Sequence, residues 1–216
     1  RNFQLAFRAP AAAMPSMSAR YFIDAHPFDA PPLGPGLHVV ATPIGNLADI
    51  TIRALRTLAA ADAILVEDSR VTRTLLTHYG IARPMLPYHE HNAEAMTPQV
   101  LERLGRGEAV ALVSDAGTPL VSDPGYRLIG AAVAAGFAVS PVPGASAALA
   151  ALVIAGLPTD RFFFEGFLPA RQGERRRRLR DLAGIPATLV LYEGPHRLVE
   201  TLGDMVDILG ERTGAV

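Results

Sequence analysis

Short apolar runs alternate with longer amphipathic stretches along most of this chain. From Leu37 onward, each apolar run ends at a polar turn, and the turn is followed by apolar residues at helical spacing. Strands are predicted over residues 38–41, 63–66, 85–88, 110–113 and 139–142. Helices are predicted over 49–60, 71–80, 98–105, 126–135 and 146–156. Because each strand leads into a helix, the pattern indicates a mostly parallel five-stranded sheet with helices on both faces.

A second α/β unit is predicted after Pro158, where the residue pattern of the sequence changes. Strands are expected over 161–168 and 188–192, a strongly basic helix over 174–182 and another helix over 197–209. Residues 211–216 have the pattern of the start of a further strand, so this second domain is expected to be incomplete. The fold class is therefore α/β, with an amino-terminal domain over 37–158 and a carboxy-terminal domain over 159–216. Residues 1–36 are interpreted as a flexible amino-terminal extension that plays no part in the fold.

Polar residues concentrate directly after the predicted strands. The five strand-end segments read TPIGN (42–46), EDSR (67–70), HEHN (89–92), SDAGTP (114–119) and PGAS (143–146). In open α/β sheets, ligands bind in the crevice at the carboxyl ends of the strands. Because the acids, amides and histidines of this chain fall at those ends, the sequence predicts a binding site there.

The stretch 112–125, LVSDAGTPLVSDPG, holds two acid-and-turn units, one with Asp115 and one with Asp123. Its glycines let backbone amides approach a ligand closely, and its carboxylates supply negative charge for a cation or an amine. A single unit of this kind more often closes an Asx turn. Two units at one strand end favour a binding loop.

Composition excludes several kinds of chemistry. All 20 basic residues are arginine and there is no cysteine, which excludes a Schiff-base lysine, a P-loop lysine and a thiolate nucleophile. The net charge is −1, and hydrophobic residues make up 50% of the chain, as in a globular protein with a substantial core. No apolar run approaches the ~20 residues that span a bilayer, and the lack of cysteine fits a cytoplasmic location.

Two segments carry residues that other kinds of site would use. His89 and His91 would share one face of a strand and could hold a metal with Glu90. Since the HExxH spacing is absent, a hydrogen-bonding or substrate role is favoured, and no metal site is predicted. Ser146 opens a helix after a strand, as a hydrolase nucleophile does. Because the second glycine of a nucleophile elbow is missing, a helix N-cap is favoured.

The basic helix carries four consecutive arginines, Arg175, Arg176, Arg177 and Arg178, with Arg171 and Arg180 beside them. Four consecutive charges point around most of a helix and repel one another. Phosphate contacts would stabilise them, because the arginine fork binds phosphate through two nitrogens. The run favours nucleic-acid binding, and the alternative is a solvated helix face.

Six segments together resemble the tetrapyrrole-methylase-like class of S-adenosylmethionine-dependent methyltransferases. They are VATPIGNLADIT (40–51), ILVEDSRVTRTLL (64–76), HEHN (89–92), LVSDAGTPLVSDPG (112–125), VPGASA (142–147) and FEGFLP (164–169). Within the class they are similar to bacterial enzymes that methylate the ribose 2′-hydroxyl of a cytidine in small-subunit (16S) ribosomal RNA. Two departures stand out: EDSR replaces the commoner EDTR and keeps the hydroxyl, and the chain stops near Val216, before the closing strands of the family.

The resemblance covers residues 37–216 and implies the two-domain tetrapyrrole-methylase-like fold, with S-adenosyl-L-methionine bound in the cleft between the domains. It also implies a homodimer and, as partner, 16S ribosomal RNA or the assembled 30S subunit. Matched position by position, it implies cofactor contacts at Pro43, Asp115, Ala116, Gly117, Leu120, Ser146, Ala147, Tyr192 and Glu193. Amides at a helix start suit the cofactor carboxylate, and Asp115 suits its ammonium and sulfonium.

A ribose hydroxyl must lose its proton during methyl transfer, and the candidate acceptors at the strand ends are Glu67, Asp68, His89 and His91. If Arg70 pairs with the carboxylates, their pKa values fall, which suits them to orienting Arg70 against a phosphate. His89 and His91 are then the favoured bases, and Glu67 remains a third catalytic candidate.

Arg70 and Arg73 join the arginines of the basic helix as candidate RNA contacts. Two further functions stay open: a tetrapyrrole C-methyltransferase with the same cofactor, and a non-catalytic RNA-binding module of the same fold. The arginine run and HEHN favour RNA methylation over the first, and binding of S-adenosylmethionine would distinguish both enzymes from the second.

Overall fold

The structure, a computed structural model, describes residues 19–119 and 125–216. Its strands are β1 Ala19–Ile23, β2 His26–Ala30, β3 Gly36–Val40, β4 Ala63–Val66, β5 Met85–Pro87, β6 Ala109–Leu112, β7 Val139–Val142, β8 Phe162–Phe167 and β9 Thr188–Tyr192. Its helices are α1 Ile52–Ala60, α2 Ser69–His78, α3 Ala93–Gly105, α4 Tyr126–Ala134, α5 Ala147–Ile154, α6 Gln172–Leu182 and α7 Leu198–Leu209.

Five strands form the central sheet, in the order β5-β4-β6-β3-β7, and every pair in it is parallel. This confirms the predicted α/β class and the parallel five-stranded sheet. The chain leaves β3 toward β4 on one side, and it leaves β6 toward β7 on the other. The neighbouring strands β3 and β6 therefore form the topological switch point, where sheets of this kind bind ligands.

Side chains of the sheet alternate between two hydrophobic cores, as the period-two geometry of strands requires. In β4, Ile64 packs with α1 and α2 on one face, and Leu65 packs with α3 and α4 on the other. The neighbouring β6 repeats this division with Ala111 and Val110. Because both faces are covered, the strands are apolar throughout, and only their ends carry polar residues into a cleft.

An antiparallel hairpin of β1 and β2 precedes the sheet, within the segment expected to be a flexible extension. Asp24 and Ala25 connect its strands with positive φ angles of 46° and 66°, as a two-residue type I′ turn requires. The hairpin packs on α1, and Tyr21 is buried in the core that α1 and α2 share. The expectation of no part in the fold is therefore wrong for residues 19–30, while residues 1–18 lie outside the described part.

The carboxy-terminal unit is built from β8, α6, β9 and α7. Its two strands are parallel, and α6 makes the crossover between them. Leu168, Leu179 and Leu182 form a small core beneath α6 and α7. This arrangement places β9 close to α5 of the first unit.

Two predicted boundaries are wrong. Helix α3 begins at Ala93 and contains Pro98, because a turn in which the amides of Asn92 and Ala93 bond the carbonyl of His89 starts it early. The proline removes one helical hydrogen bond without ending the helix. No strand forms over 211–216. The guanidinium of Arg212 instead donates to the carbonyl of Ala183, just after α6, at 3.0 Å and to the carbonyl of Leu209, at the end of α7, at 3.1 Å.

Candidate active site at the strand-end loops

The five polar segments predicted from the sequence all lie at one edge of the sheet. Following the strand order, they run HEHN, EDSR, SDAGTP, TPIGN and PGAS, from β5 to β7. Parallel strands end on the same side, so their following loops must meet there. Hydrogen bonds join the four loops from EDSR to PGAS into one continuous surface.

The central contact lies at the switch point between β3 and β6. The amide of Thr42 donates to the carbonyl of Gly117 at 2.8 Å, and the amide of Gly117 donates back to Thr42 at 3.1 Å. The hydroxyl of Thr42 also reaches the carbonyl of Ser114 at 3.1 Å. Gly117 has a φ of 82°, and a Cβ there would lie 3.3 Å from the side chain of Ile44. The loop therefore needs glycine at this position for both its conformation and its close approach.

Asp115 connects the central loop to the EDSR loop. Its Oδ1 accepts the amide of Asp68 at 3.0 Å, while Oδ2 has no hydrogen bond within the described residues. The carboxylate of Asp68 is in turn held by Arg70, whose Nη2 lies 2.6 Å from Oδ2. Hydrogen bonds from the Arg70 side chain and amide lower the pKa of Asp68 to about 2. Asp68 is therefore a poor proton acceptor, as predicted for an acid that pairs with Arg70.

The PGAS loop joins the central loop to helix α5. The hydroxyl of Thr118 donates to the carbonyl of Ala145 at 3.1 Å. Ser146 occupies the N-cap of α5, but its side chain makes no capping hydrogen bond, so only the position of the predicted cap is right. The amides of Ala116 and Ala147 have no partner among the described residues. Two amide donors are thus left beside the switch point, where an anionic group would satisfy them.

Tyr192 brings the carboxy-terminal unit to this surface. Its hydroxyl oxygen accepts the amide of Ala148, in the first turn of α5, at 3.2 Å. The rings of Phe164 and Phe167 meet the Tyr192 ring edge-on, with centroids 4.9 and 5.5 Å away. Together they form an aromatic wall at the end of β9, which suits a flat apolar ring such as a purine.

Glu193, which follows Tyr192, is committed to the start of α7. Its carboxylate accepts the amide of Gly194 at 2.7 Å, the hydroxyl of Thr201 at 2.6 Å and the guanidinium of Arg197 at 2.7 Å. Burial alone would raise the pKa of Glu193, but these hydrogen bonds outweigh it and the pKa is lowered. A cofactor contact at this residue is therefore left to its backbone.

The two histidines of HEHN lie side by side, with ring centroids 6.0 Å apart. His89 is half-buried and His91 is exposed. The Nδ1 atom of His89 is the one buried side-chain nitrogen or oxygen in the described part of the chain that lacks a hydrogen-bond partner. Such a group costs free energy in the folded state, and in a native protein it often marks a functional position.

The remaining predicted site residues are placed as follows. Pro43 is buried in the loop that follows β3, and Glu67 is half-buried at the end of β4. Leu120 and Asp123 lie outside the described residues. No group of three or more potential metal ligands occurs within residues 19–119 and 125–216. No helix in those same ranges is long and apolar enough to cross a membrane.

In helix α6, several of the arginines that were predicted to contact RNA form ion pairs within the protein instead. Arg175 is only 1% exposed, and its Nε donates to the buried carboxylate of Asp204 at 2.7 Å. A neighbouring guanidinium, that of Arg176, bonds Asp204 at 2.7 Å and Asp207 at 2.9 Å. The predicted RNA contact is therefore wrong for Arg175, because its charge is buried and neutralised inside the protein.

Arg178 is likewise used within the chain, since its Nη2 donates to Glu165 of β8 at 2.7 Å. Arg171, Arg177 and Arg180 remain exposed on the outer side of α6. The partners of the run come from α7 and β8, far from it in sequence. Sequence spacing therefore gave no sign that most of the run has a structural role.

Sequence reasoning missed two residues that shape the site, Thr42 and Thr118. Each uses its hydroxyl to hold a neighbouring loop, and the partner lies 72 residues away for Thr42 and 27 for Thr118. The one sequence signal for both is a Thr-Pro pair within the segment that follows an apolar strand, in TPIGN and in SDAGTP. Pairs of this kind restrict the backbone of the residue before proline, which helps to fix the position of the hydroxyl.

Comparison with known proteins agrees with the resemblance found in the six segments. Residues 36–215 match the family described as Tetrapyrrole (Corrin/Porphyrin) Methylases. The chain is 58% identical over 188 residues to the "Ribosomal RNA small subunit methyltransferase I" of Mesorhizobium japonicum, covering 87% of this chain and 64% of that protein. Proteins of the same name from Halalkalibacterium halodurans and Escherichia coli O157:H7 are 53% and 51% identical, covering 82% and 81% of this chain and 61% of each relative. The chain thus spans less than two thirds of the length of these relatives.

Solved structures share the fold at low sequence identity. A cobalamin biosynthetic enzyme, cobalt precorrin-4 methyltransferase, superposes with a TM-score of 0.59 at 21% identity, over 80% of this chain and 74% of its own. Diphthine synthase superposes with a TM-score of 0.63 at 18% identity, over 79% and 70% of the two chains. These likenesses support the fold and carry no information on the substrate.

Proposed function

Because the chain belongs to the tetrapyrrole (corrin/porphyrin) methylase family, we propose that it transfers a methyl group from S-adenosylmethionine to the ribose 2′-hydroxyl of a cytidine in small-subunit ribosomal RNA. The observation that carries this proposal is a sequence identity of 50% or more to several proteins named as ribosomal RNA small subunit methyltransferases. The matched part of the chain includes the loops that form the site. No feature of the site favours a tetrapyrrole substrate over RNA.

The donors and acceptors at the switch point fit S-adenosylmethionine. The amide of Ala147, at the start of α5, suits the carboxylate of the methionine part, because a helix start attracts anions. The Oδ2 atom of Asp115 suits its ammonium group, since Oδ1 alone is used by the amide of Asp68. The ring of Tyr192, with Phe164 beside it, suits the adenine. When bound, the cofactor supplies an electrophilic methyl carbon attached to a positive sulfur.

The residues of the site then position the ribose and remove its proton. The bound cofactor would supply the methyl group, and a base of this chain would accept the proton that the 2′-hydroxyl loses. His89 and His91 are the proposed acceptors, because Asp68 is held as a weak base by Arg70. The unsatisfied Nδ1 of His89 supports a histidine that completes its hydrogen bonds only when a ligand is present. Glu67, at the end of β4, is the third candidate and would orient the ribose.

Transfer of labelled methyl groups tests this function directly. The intact chain and labelled S-adenosylmethionine are incubated with assembled 30S subunits, free 16S ribosomal RNA or uroporphyrinogen, and the modified nucleoside is identified after digestion. We expect label on the 2′-oxygen of a cytidine in one or both RNA substrates. Label on the macrocycle alone would replace the proposal with a small-molecule C-methyltransferase. Tight cofactor binding with no transfer to any substrate would overturn it in favour of a non-catalytic role.

A cytoplasmic homodimer completes the proposal. Support for the dimer comes from five large apolar side chains of α4 and α5 that stay exposed in a single chain: Tyr126, Val133, Leu149, Val153 and Ile154. Ile154 and Val153 are 85% and 80% exposed, and neighbouring large apolar side chains exposed to this extent are typical of a protein–protein interface. Sedimentation of the Val153→Glu/Ile154→Glu variant checks this: a monomer is expected, and an unchanged dimer would place the interface elsewhere.

A further inference from the structure

A groove of about 670 Å³ runs along the outer face of α2, next to the EDSR loop. One wall consists of residues at successive turns of α2, and Leu47, from the short 3-10 turn before α1, closes the other side. The lining residues on α2 are Arg70, Arg73, Thr74, Thr77 and His78. The groove therefore extends the candidate active site outward along a basic and hydroxyl-bearing surface.

The charge of this groove is not balanced by acids of α2. The helix reads SRVTRTLLTH and contains no Asp or Glu. Two acids, Glu67 and Asp68, directly precede the helix, and Asp68, at its N-cap, is paired with Arg70. Arg73 is exposed and makes no ion pair or hydrogen bond within the described residues. A fixed positive charge is thus presented to solvent in a concave site, where a phosphate group would be its natural partner.

In the helix pair α6–α7, by contrast, acidic residues balance the arginines. The five arginines of α6 are matched by five carboxylates on α6 and α7, and the best-shielded of these pairs is Arg175 with Asp204. The positive field of the arginine run is therefore largely cancelled within the protein. Compared with α6, α2 is therefore the helix with net positive charge to offer a polyanion.

The groove also has the neutral donors that accompany phosphate contacts in RNA-binding proteins. The hydroxyl of Thr77 makes no hydrogen bond within the described residues, so it is free to donate to a phosphate or a ribose. His78 offers a ring nitrogen beside it. From Arg70 to His78 the groove follows about 12 Å of helix, at the usual rise of about 1.5 Å per residue. That length accommodates a short run of nucleotides rather than a single anion.

The groove lies next to the candidate active site. Helix α2 begins in the EDSR loop, and this loop is fixed to the central loop by the bond between the amide of Asp68 and Asp115. A strand whose target ribose lies at the switch point would pass over Arg70 and onto the face that carries Arg73. The groove is thus placed to hold nucleotides next to the target, and to do so on the same rigid framework that holds the cofactor loop.

We infer that the α2 groove binds the phosphate–ribose backbone of the RNA substrate beside the target nucleotide, with Arg73 as the main phosphate ligand and Thr77 as a neutral donor. This inference rests on the proposed function for the identity of the RNA. It moves the principal RNA contact from the arginine run of α6 to the acid-free face of α2.

Salt-dependent binding of 30S subunits and of free 16S ribosomal RNA tests the inference. Affinity is measured between about 0.05 and 0.3 M salt for the intact protein and for Arg73→Gln and Arg73→Glu. If Arg73 contacts one phosphate, Arg73→Gln lowers affinity about tenfold at about 0.1 M salt and reduces the logarithmic salt slope by about 1. Arg73→Glu lowers affinity further, because it adds repulsion, and both variants should keep the affinity for S-adenosylmethionine.

Matched controls separate a contact from a general change of charge. Arg56 is exposed on α1 and makes no bond within the described residues, so Arg56→Gln and Arg56→Glu alter the charge equally and should leave the salt slope unchanged. Arg177→Gln/Arg180→Gln tests the exposed side of α6 and should have a smaller effect than Arg73→Gln. An unchanged slope in the Arg73 variants, or a larger loss in the α6 variant, overturns the inference.

The proposed function can fail separately. If the unaltered protein binds these RNAs but transfers no methyl group, the catalytic proposal falls, and the Arg73 series still decides the role of the groove. If the unaltered protein methylates RNA while Arg73→Glu binds and reacts normally, the groove is not the RNA site and the catalytic proposal stands. Preferential binding of single-stranded DNA or of polyglutamate over both RNAs would also overturn the inference, since the groove would then be a general anion site.

Discussion

Asp115 links two loops and offers one oxygen atom to a ligand, so its removal has a predictable effect on cofactor binding. We expect Asp115→Ala to weaken the binding of S-adenosylmethionine at least tenfold, or by about 1.4 kcal/mol, because a charge-assisted contact is lost. Isothermal titration measures the dissociation constant. Asp62→Ala is the matched control, since Asp62 also accepts one backbone amide, that of Ala109 at 2.7 Å, but at the other end of the strands. Equal affinity for the two variants would remove Asp115 from the site.

The histidines of HEHN carry the second prediction at the residue scale. We expect His89→Ala or His91→Ala to lower turnover about 100-fold while cofactor affinity stays nearly constant, because the proton of the ribose loses its acceptor. Single-turnover methyl transfer measures the rate and isothermal titration measures the cofactor affinity, with His26→Ala on the hairpin as control. Normal turnover in both variants would leave the RNA or solvent as acceptor.

Residues directly after strands could be placed from the sequence, and residues with distant partners could not. Asp115 and Gly117 lie at the predicted edge because a strand end fixes them within the sheet. A cofactor contact was expected at Glu193, but its side chain turns to Thr201 of the following helix and to Arg197 at the N-cap of that helix. No local pattern distinguishes a carboxylate that caps a later helix from one that binds a ligand.

At the scale of elements, the α6–α7 pair is held by a buried ion pair, and this predicts a change in stability. Arg175→Met should lower the melting temperature by about 5 °C or more, because the buried carboxylate of Asp204 loses its one fully buried arginine partner. Thermal unfolding followed by circular dichroism measures the shift. Arg177→Met, at an exposed position of the same helix, should change it little.

A double variant sharpens this test. Arg175→Met/Asp204→Leu removes both buried charges, so it should recover most of the stability that Arg175→Met loses. Equal melting temperatures for Arg175→Met and the unaltered protein would mean that the buried pair adds nothing to the fold. A double variant less stable than Arg175→Met would mean that Asp204 matters chiefly through its other partners, Arg176 and Gln172.

Most elements were predicted to within a few residues, because apolar runs and glycine stops are local signals. The hairpin of β1 and β2 was missed for an equally local reason: its turn is Asp24-Ala25, without the glycine or asparagine that usually marks a type I′ turn. The early start of α3 was missed because Pro98 is normally a helix boundary. A hydrogen-bonded turn at His89 and Asn92 overrides that preference.

For the whole molecule, the class of fold follows from alternation of strands and helices, but the order of the strands does not. The sequence indicated that five strands are parallel, yet only the structure shows that β3 and β6 are neighbours. That neighbourhood brings TPIGN against SDAGTP and creates the switch point. The contact between the two units also joins residues far apart in sequence: the amide of Ala148, in α5, donates to the hydroxyl of Tyr192.

Three carboxylates spread over the molecule predict that the fold is sensitive to acid. They are Glu108 before β6, Glu193 after β9 and Asp204 in α7. Burial would raise the pKa of each, but hydrogen bonds, most of them from arginines, outweigh it and leave each pKa below its ordinary value of 4.5 or 3.8. A lowered pKa in the folded state contributes stability above the ordinary value, and that contribution is lost as the pH falls through the folded-state pKa.

The melting temperature should therefore be nearly constant from about pH 7 to about pH 5 and should fall steadily below about pH 4.5. Glu193→Gln tests the cause, because glutamine keeps the shape of the side chain and cannot titrate. This variant should melt at a lower temperature than the unaltered protein at pH 7, since the charged hydrogen bonds to Thr201 and Arg197 are weakened. Its melting temperature should then fall less on acidification, so that the two curves converge. Parallel curves across the whole range would show that Glu193 has the same pKa in the folded and unfolded states, and the acid sensitivity would then belong to other groups.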